Sequence, residues 1–462
     1  MDENVVATGE VIDSAFTVPC TLPQPLIPGP GRHIFIFLDG TWNEERSLLG
    51  QFTPTNVLRM FQEINQKPLP KNTSLPDQRI PSDHIASQGA SPTTTPSADQ
   101  SVPPEVIARY YRGVGSRQDN NAADRMWFGF NGKDEERIRN AAFAGLYCDY
   151  RNSNDSIYII GFSRGAASAR LLARDICIKG FPPKLEVHTT RFPNLLTGQI
   201  EPRVDGVKRL DQKGNQPNHR PKIAFLGCWD TVDAFVLPSR FPKEGLRNKI
   251  ADKTVRALKS SIPRLFGYER FRKDEKVNEN EIPDGVERAV HCVAIDETRD
   301  AFLPTLMPYK PHIEEVWFPG VHADVGGGYD DNLLAEGPYE FMKNRLLVAA
   351  KAHGANVEIL VKKTERTKFV PDYCFHFHGF NTGLDRAKDL LGFGTSIRRI
   401  RVEKGTVRPK IHSSIYKVVN GDSVFAADHL NRRKWTVTYD PYNVAELKGQ
   451  FDIVYDGTTE PT

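Results

Sequence analysis

The segment from residue 156 to residue 170 carries a serine in a position suited to nucleophilic chemistry. An apolar strand pattern runs into Gly-x-Ser-x-Gly centred on Ser163, and a segment with the spacing of a helix follows. The two glycines let a strand-to-helix turn close without side-chain collisions, so the serine hydroxyl projects above the sheet. The backbone N–H of Arg164, at the start of the helix, is placed to donate to an oxyanion. We expect a nucleophile elbow, although a chain with 35 glycines among 462 residues can carry the motif by chance.

A serine nucleophile needs a general base, and His322 fits that role best among the 12 histidines. A short apolar strand pattern stops at Pro319 and Gly320, and His322 stands on the loop just beyond, ahead of the glycines at 326–328. In α/β-hydrolases the base follows the serine and the acid in chain order, as His322 does. The competing interpretation is a histidine that only caps a strand end. Three other histidines have the pattern of strand residues: His291, His376 and His378.

The third member of a catalytic triad is a carboxylate that fixes the tautomer of the histidine. Asp230 ends the first buried-strand pattern after the elbow helix, so we favour it. Asp296 ends a second such pattern and is an alternative, but its charged neighbours at 297–300 are typical of a surface ion network. Asp324, two residues after His322, is a third alternative whose competing role is a helix cap or turn.

An oxyanion hole needs a second backbone donor from a loop near the start of the sheet. A fully apolar strand pattern at 33–38 is followed by Asp39, Gly40 and Thr41. Because glycine permits close backbone approach, we expect the N–H of Gly40 or Thr41 to join that of Arg164. Asp-Gly-Thr also occurs in aspartic proteases and in phosphoryl-transfer enzymes with an aspartyl nucleophile. A pepsin-like enzyme would need a second such triplet and an all-β pattern, and the sequence has neither.

Six motifs occur in order along the chain. They are FLDGTWN at 37–43, RGVG at 112–115, GFSRGA at 161–166, LGCWDTV at 226–232, AIDE at 294–297 and WFPGVHADVGGGY at 317–329. The series resembles the uncharacterised α/β-hydrolase domain family, whose best understood members are the type VI secretion phospholipase effectors of the first lipase family. The resemblance runs from about residue 32 to about residue 355.

The resemblance implies that Ser163, Asp230 and His322 are catalytic and that the chain is a serine ester hydrolase. It implies a lipid substrate, with phospholipid cleaved in the A-type manner first, and an antibacterial secreted effector. A secretion machine and an immunity protein are the partners it implies, and no cofactor is expected. The family also contains chains of unknown activity. A soluble carboxylesterase, thioesterase or peptidase on the same triad, or a non-catalytic binding module, therefore remain alternatives.

These residues must be brought together by a sheet whose strands end at one edge. Strand patterns alternate with helical patterns over residues 32–384, which predicts an α/β fold of the α/β-hydrolase type, with a mostly parallel central sheet flanked by helices. Residues 1–31 are predicted to form an N-terminal arm. Residues 385–462 are predicted to form a C-terminal extension that packs on the core, and they carry no recognisable chemistry. Its local patterns predict exposed strands at 396–402 and 451–455 and a structural turn at 410–415.

Three inserts interrupt the predicted catalytic domain. Residues 66–104 are rich in Pro, Ser, Thr and Gln, and residues 184–220 are polar with scattered Pro and Gly, so both are predicted loops. Residues 239–284 include an amphipathic helical pattern with Lys and Arg opposite an apolar face. Since this insert follows the Asp230 strand, we expect a lid that makes peripheral contact with a membrane; the competing interpretation is a solvated helix.

The composition excludes several classes of protein. A formal net charge of +3 is too balanced to indicate a nucleic-acid partner. The six cysteines are scattered and lie mostly in apolar patterns, which is typical of free thiols in a reducing compartment. The pair His376 and His378 has no third ligand nearby in sequence, so no metal is expected. Signal-peptide and spanning-helix patterns are missing, so we expect cytoplasmic synthesis and, for action in a target cell periplasm or membrane, a dedicated export machine.

Overall fold

The structure is a computed structural model of the 462-residue chain. It describes residues 16–22, 26, 29, 31–40, 54–65, 106–113, 132–193, 200–210, 218–232, 281–299, 302–329, 333–356, 375–379, 397–400, 402, 407–419, 424–428, 433–437 and 439–455. The predicted loop at 66–104 lies outside the described residues. So does the predicted lid at 239–284, apart from residues 281–284.

Eight strands form the central sheet. They are β2 (His33–Leu38), β3 (Val106–Tyr111), β4 (Ser156–Phe162), β7 (Ile223–Trp229), β8 (Ala289–Ala294), β9 (Ile313–Phe318), β11 (Lys410–His412) and β14 (Asp452–Val454). Their order across the sheet is β14-β11-β9-β8-β7-β4-β2-β3, and every neighbouring pair is parallel. The predicted α/β fold with a mostly parallel central sheet is confirmed. Parallel strands end at the same edge, so the residues after β2, β4, β7, β8 and β9 are neighbours in space.

Helices cover both faces of this sheet. They are α1 (Asn56–Asn65), α2 (Gly132–Asp149), α3 (Arg164–Lys179), α4 (His322–Gly326), α5 (Leu333–Ala352), α6 (Ser414–Val419) and α7 (Tyr442–Ala445). Strand β2 shows the arrangement: Ile34 and Ile36 pack in the buried cluster with α2 and α3, whereas Phe35 and Phe37 pack with α1 and α5. Because both faces are covered, strands β2, β4 and β7 are nearly continuous apolar runs. Among the described residues, no helix combines the length and hydropathy that a bilayer crossing requires.

Two smaller sheets have three strands each. One contains β1 (Phe16–Thr21), β5 (Lys184–Pro193) and β6 (Ile200–Leu210), all antiparallel, and the other contains β10 (Phe375–Gly379), β12 (Val424–Asp428) and β13 (Arg433–Val437). The predicted loop at 184–220 is therefore wrong over most of its length. Leu185, Val187 and Val204 are buried in the cluster that contains α2 and α3. The segment has a loop-like composition because only one face of these strands is covered, and the other face carries polar residues.

Two predictions for the C-terminal part are also wrong. The predicted turn at 410–415 is strand β11 followed by the start of α6, since Ile411 is fully buried against the sheet. A three-residue strand is too short for a period-2 pattern to reveal it. Residues 397–400 have no regular secondary structure where a strand is predicted. Strands β11 and β14 continue the central sheet beyond β9, which is the strand that precedes His322. The C-terminal part of the chain is therefore part of the same sheet as the strands that carry the catalytic candidates.

Candidate active site

Ser163 occupies the turn between β4 and α3. Its φ of 58° is positive, which is uncommon for a residue with a side chain and marks a strained turn. The turn is held on both sides: the Ser163 N–H donates to the Trp229 carbonyl at 3.0 Å, and the Ala166 N–H donates to the Ser163 carbonyl at 3.1 Å. The strand, turn and helix that the motif predicts are all present.

Gly161, two residues before the serine, occupies a position where the turn leaves no room for a side chain. A Cβ added to Gly161 would lie 2.5 Å from the carbonyl oxygen of Gly165, well inside van der Waals contact. Strand β4 and the first turn of α3 therefore approach each other through two residues without side chains. This close approach keeps Ser163 at the tip of the turn.

Asp230 and His322 meet at the carboxyl edge of the sheet. Asp230 directly follows β7, and His322 is the first residue of α4, which comes after β9. The Nδ1 atom of His322 lies 2.5 Å from Oδ2 of Asp230, and both side chains are buried. The Ala294 N–H donates to Oδ1 of Asp230 at 2.9 Å. The carboxylate is thus fixed from β8 while it contacts the imidazole.

The electrostatics of this pair suit a general base. Burial by itself would raise the pKa of Asp230, but Arg398 and His322 hold it well below its usual range, so Asp230 is ionised. Burial lowers the pKa of His322 and outweighs the opposing effect of Asp230 and Glu297. The imidazole is therefore neutral at neutral pH. With its Nδ1–H donated to Asp230, Nε2 is the nitrogen that is left to accept a proton.

Helix α4, which begins at His322, packs directly on the turn that carries Ser163. The imidazole ring lies 4.6 Å from the ring of Phe162, which precedes Ser163, and 4.8 Å from the ring of Phe302. A Cβ added to Gly326, in the glycine run after His322, would lie 1.9 Å from the Phe162 ring. Helix α4 can approach the elbow this closely only because position 326 has no side chain. The imidazole of His322 thus packs on the residue that directly precedes Ser163.

The other two acid candidates have different partners. Oδ2 of Asp296 accepts hydrogen bonds from the Gly320 N–H at 2.6 Å and from the Tyr439 hydroxyl at 2.9 Å. Burial raises the pKa of Asp296 to about 7. Asp324 accepts a hydrogen bond from the Val321 N–H at 2.9 Å and caps α4. In the described structure, Asp230 is the candidate carboxylate that contacts the imidazole of His322.

The candidate oxyanion donors have unequal surroundings. The Arg164 N–H heads α3, and burial lowers the pKa of its side chain to about 10, so the side chain stays cationic. A Cβ added to Gly40 would lie 3.1 Å from Cβ of Ser163, so Gly40 adjoins the serine. Its N–H donates to Oδ1 of Asp39 at 2.7 Å, and Thr41 lies outside the described residues. Asp39 also accepts from the Thr55 hydroxyl at 2.7 Å and from the Tyr110 hydroxyl, so both of its oxygens are engaged.

The C-terminal part contributes a residue that the sequence analysis missed. Arg398 is 2% exposed and donates to both carboxylate oxygens of Asp230. The sequence shows no recognisable chemistry in residues 385–462, and this contact with a candidate catalytic residue is visible only in the structure. No local pattern reveals this contact, because the two residues are 168 positions apart.

Neither metal ligands nor disulfides feature in the described part of the chain. Among the described residues, no group of three or more His, Cys, Asp or Glu side chains is arranged to hold a metal ion. Cys148, Cys177, Cys228 and Cys292 are free, and all except the half-buried Cys177 are buried.

The sequence that carries this arrangement of residues matches a known protein family. The family model for the T6SS phospholipase effector Tle1-like catalytic domain matches residues 32–345. The chain belongs to the Tle1-like family. The match contains Ser163, Asp230 and His322 and ends before Arg398. A comparison with the curated proteins finds no match.

Solved structures similar to this Tle1-like chain include an uncharacterized protein from Pseudomonas aeruginosa, with 18% identity over 72% of this chain and 48% of that one, at a TM-score of 0.36. A Tle1 effector bound to the VgrG spike of the type 6 secretion system is 20% identical over 66% of this chain and 52% of that one, at a TM-score of 0.30. Esterase 2 of Thermogutta terrifontis, in its apo form, is 13% identical over 73% of this chain and 91% of that one, at a TM-score of 0.25. The chain spans about half the length of the first two proteins.

Proposed function

We propose that this chain is a serine hydrolase of lipid acyl esters, a phospholipase of the A type. Ser163 is the nucleophile, His322 is the general base and Asp230 is the acid that orients it. The observation that carries the proposal is the 2.5 Å hydrogen bond between His322 and Asp230 beside the elbow, within residues 32–345 that match the Tle1-like family model.

In the first half of the reaction, Oγ of Ser163 attacks the ester carbonyl while Nε2 of His322 takes the hydroxyl proton. Asp230 keeps the imidazole in the tautomer with Nδ1–H and stabilises the imidazolium that forms. The tetrahedral intermediate collapses, and His322 returns the proton to the departing alcohol, which is a lysophospholipid when the substrate is a phospholipid. Water then attacks the acyl-enzyme with His322 as base, and a fatty acid is released as Ser163 is regenerated.

The oxyanion is stabilised by backbone donors that need no cofactor. The Arg164 N–H, at the positive end of α3, is the first donor. Gly40 or Thr41 supplies the second. Because the Gly40 N–H donates to Asp39 at 2.7 Å, its use requires that this amide share its hydrogen or turn toward the substrate. Loss of one such donor typically costs about 10²-fold to 10³-fold in kcat.

The proposed partners follow from the same family. The Tle1 effector of known structure is bound to a VgrG spike, and we propose that this chain also travels on a spike of that kind. Delivery by a secretion machine would expose it to target-cell membranes. We further propose that an immunity protein protects the producing cell.

A serine-directed fluorophosphonate probe tests the proposal. Wild type is expected to be labelled, whereas Ser163→Ala is expected to lose labelling. The kcat of Ser163→Ala on p-nitrophenyl esters is expected to fall by about 10⁴-fold or more, at an unchanged melting temperature. Ser153→Ala changes an exposed serine near the start of β4 and is the matched control, with wild-type activity expected. Equal activity of Ser163→Ala and wild type would overturn the nucleophile assignment.

Lipid analysis of membranes incubated with wild type or Ser163→Ala identifies the substrate. Accumulation of lysophospholipid and fatty acid with wild type only is expected. Labelling by the probe with no lipid product would favour the soluble esterase, thioesterase or peptidase. Absence of labelling would favour a binding module that retained the fold.

A further inference from the structure

Arg398 forms a bidentate ion pair with the carboxylate of Asp230. One terminal nitrogen lies 2.6 Å from Oδ1 and the other lies 2.9 Å from Oδ2. Both side chains are buried, Asp230 completely and Arg398 at 2% exposure. Two parallel N–H donors from one planar group fix the plane of a carboxylate as well as its position.

The arginine is itself held from two sides of the site. Its terminal nitrogens also donate to the Ala294 carbonyl at 2.8 Å and to the Phe302 carbonyl at 2.5 Å. The carbonyl of Arg398 accepts from the side-chain amide of Asn443, which donates to the Ile295 carbonyl as well. Side chain and backbone are thus both attached to the end of β8 and the segment after it. An arginine anchored in this way cannot leave Asp230 without breaking several hydrogen bonds.

The position of the Asp230 carboxylate affects the position of His322, the proposed general base. Oδ2 of Asp230 contacts Nδ1 of His322 and also accepts from Arg398. A rotation of the carboxylate would move the imidazole, and a displacement of about 1 Å at a catalytic group can cost about 10²-fold in rate. The guanidinium charge also offsets part of the carboxylate charge that His322 experiences, which limits how strongly Asp230 favours the imidazolium.

We propose that Arg398 is a positioning residue for the catalytic acid, so that the chain beyond residue 345 completes the active site of the family's catalytic domain. Arg398 acts through Asp230 and does not touch the substrate. The inference rests on the proposed serine hydrolase function. It adds a fourth member, from outside the family match, to the three residues that the resemblance implies.

Three variants of the full chain test this role with a water-soluble p-nitrophenyl ester and full pH profiles. Arg398→Lys keeps the charge but loses the two-pronged contact, and Arg398→Met removes the charge at similar length. Arg399→Met removes the exposed neighbouring arginine and is the matched control. Both Arg398 variants are expected to lose roughly 10-fold to 100-fold in kcat, with KM changed less than threefold, whereas the control keeps wild-type rates.

The pH profile separates positioning from simple structural support. Loss of the cation leaves Asp230 more able to stabilise the imidazolium, so Arg398→Met is expected to move the acidic limb of kcat/KM to higher pH by roughly half a unit or more. Arg398→Lys is expected to leave that limb in place. A kcat of Arg398→Lys within twofold of wild type, or an unmoved limb in a folded Arg398→Met, would overturn the role. If Arg398→Met fails to fold, the kcat and limb of Arg398→Lys decide.

Fluorophosphonate labelling of wild type separates a failure of the proposed Arg398 role from a failure of the proposed hydrolase function. Labelled wild type, inactive Ser163→Ala and fully active Arg398 variants would reject the role of Arg398 and leave the proposed function intact. Unlabelled, inactive wild type would reject the proposed function and this inference with it.

Discussion

At the scale of single residues, two carboxylates at the same edge of the sheet have opposite environments. Asp230 is fully buried, contacts two basic side chains and has a pKa held well below its usual range. Asp296 accepts from an amide and a phenol, neither of which is a cation, and burial raises its pKa to about 7. The same residue type is therefore a permanent anion at one position and a neutral-pH titrating group at the other.

This difference predicts unequal losses of activity. Asp230→Asn places an amide where one carboxylate oxygen was, and its N–H can donate to Nδ1 of His322 and hold the wrong tautomer, so a loss on the order of 10⁴ in kcat is expected. Asp296→Asn keeps an oxygen that can accept from the Gly320 N–H, so its loss should stay below about tenfold. Steady-state kinetics with a short p-nitrophenyl ester measures both. A large loss of kcat in Asp296→Asn, together with nearly wild-type kcat in Asp230→Asn, would mean that the acid is Asp296.

Asp296 also predicts a pH dependence of stability. Its folded pKa of about 7 lies above the ordinary value of 3.8, so between these pH values the folded state binds a proton that the unfolded state lacks. The contribution to the free energy of unfolding is fully present below the unfolded pKa and is lost as pH rises through about 7. Urea unfolding at pH 5 and pH 8 should show a smaller fall for Asp296→Asn than for wild type. Parallel falls in both proteins would contradict the titration.

At the scale of elements, the elbow depends on close packing of β4 against α3. Residues with side chains at 161 would separate the strand from the helix, because the added Cβ would meet backbone at 2.5 Å. Backbone atoms cannot rotate aside as a flexible side chain can. Strain at this junction is transmitted directly to Ser163, whose positive φ the junction maintains.

Two glycine substitutions test this packing. Gly161→Ala is expected to destabilise the protein by roughly 1 to 3 kcal/mol and to reduce kcat sharply, because the clash can be relieved only by moving the turn. Gly206→Ala, on β6, is the matched control: an added Cβ there meets nothing within 4 Å, so stability should change by less than about 0.5 kcal/mol. Chemical denaturation and ester hydrolysis measure the two effects. Wild-type behaviour of Gly161→Ala would show that the turn can relax.

At the scale of the whole molecule, residues from distant parts of the chain converge on one edge of the sheet. Ser163, Asp230 and His322 follow β4, β7 and β9, and Arg398 reaches the same edge from beyond the family match. Strands β11 and β14 extend the sheet beside β9. The Asp230 carboxylate is therefore held both by the neighbouring strand β8 and by the C-terminal part of the chain.

Action on a membrane is the prediction that belongs to this scale. The insert at 239–284, whose residues lie almost entirely outside the described part, places Lys253 and Arg256 opposite an apolar face in sequence. Lys253→Glu with Arg256→Glu should weaken binding to anionic vesicles and slow phospholipid hydrolysis, yet spare a soluble short ester, since each basic residue contributes about 1 kcal/mol. Vesicle sedimentation at moderate salt measures the binding.

A matched reversal controls for net charge. Lys184→Glu with Lys208→Glu makes the same charge change at exposed positions on β5 and β6, outside the insert in sequence. This control is expected to bind vesicles more tightly than the insert variant does. If the insert variant loses equal activity on phospholipid and on the soluble ester, the insert shapes the substrate pocket. If it loses activity on neither substrate, the insert is a solvated helix without a role in membrane binding.

The sequence alone determined the local parts of this site. The strand, turn and helix around Ser163 and the strand end at Asp230 follow from periodicity and glycine spacing, which act over a few residues. The sequence predicts a loop at His322, where the structure has the first residue of α4. The parallel α/β sheet could be predicted from the same periodicity. Their catalytic roles stay predictions until the kinetics are measured.

Only the tertiary structure decided which groups meet. Asp230 contacts His322 across 92 positions and Arg398 across 168, and three carboxylates had sequence contexts compatible with the role of the acid. The strands at 184–193 and 200–210 were hidden because a half-covered sheet has a polar face. Contacts between distant residues leave no periodicity in the sequence, since the order of strands in the sheet, and not their order in the chain, determines which strand ends are neighbours.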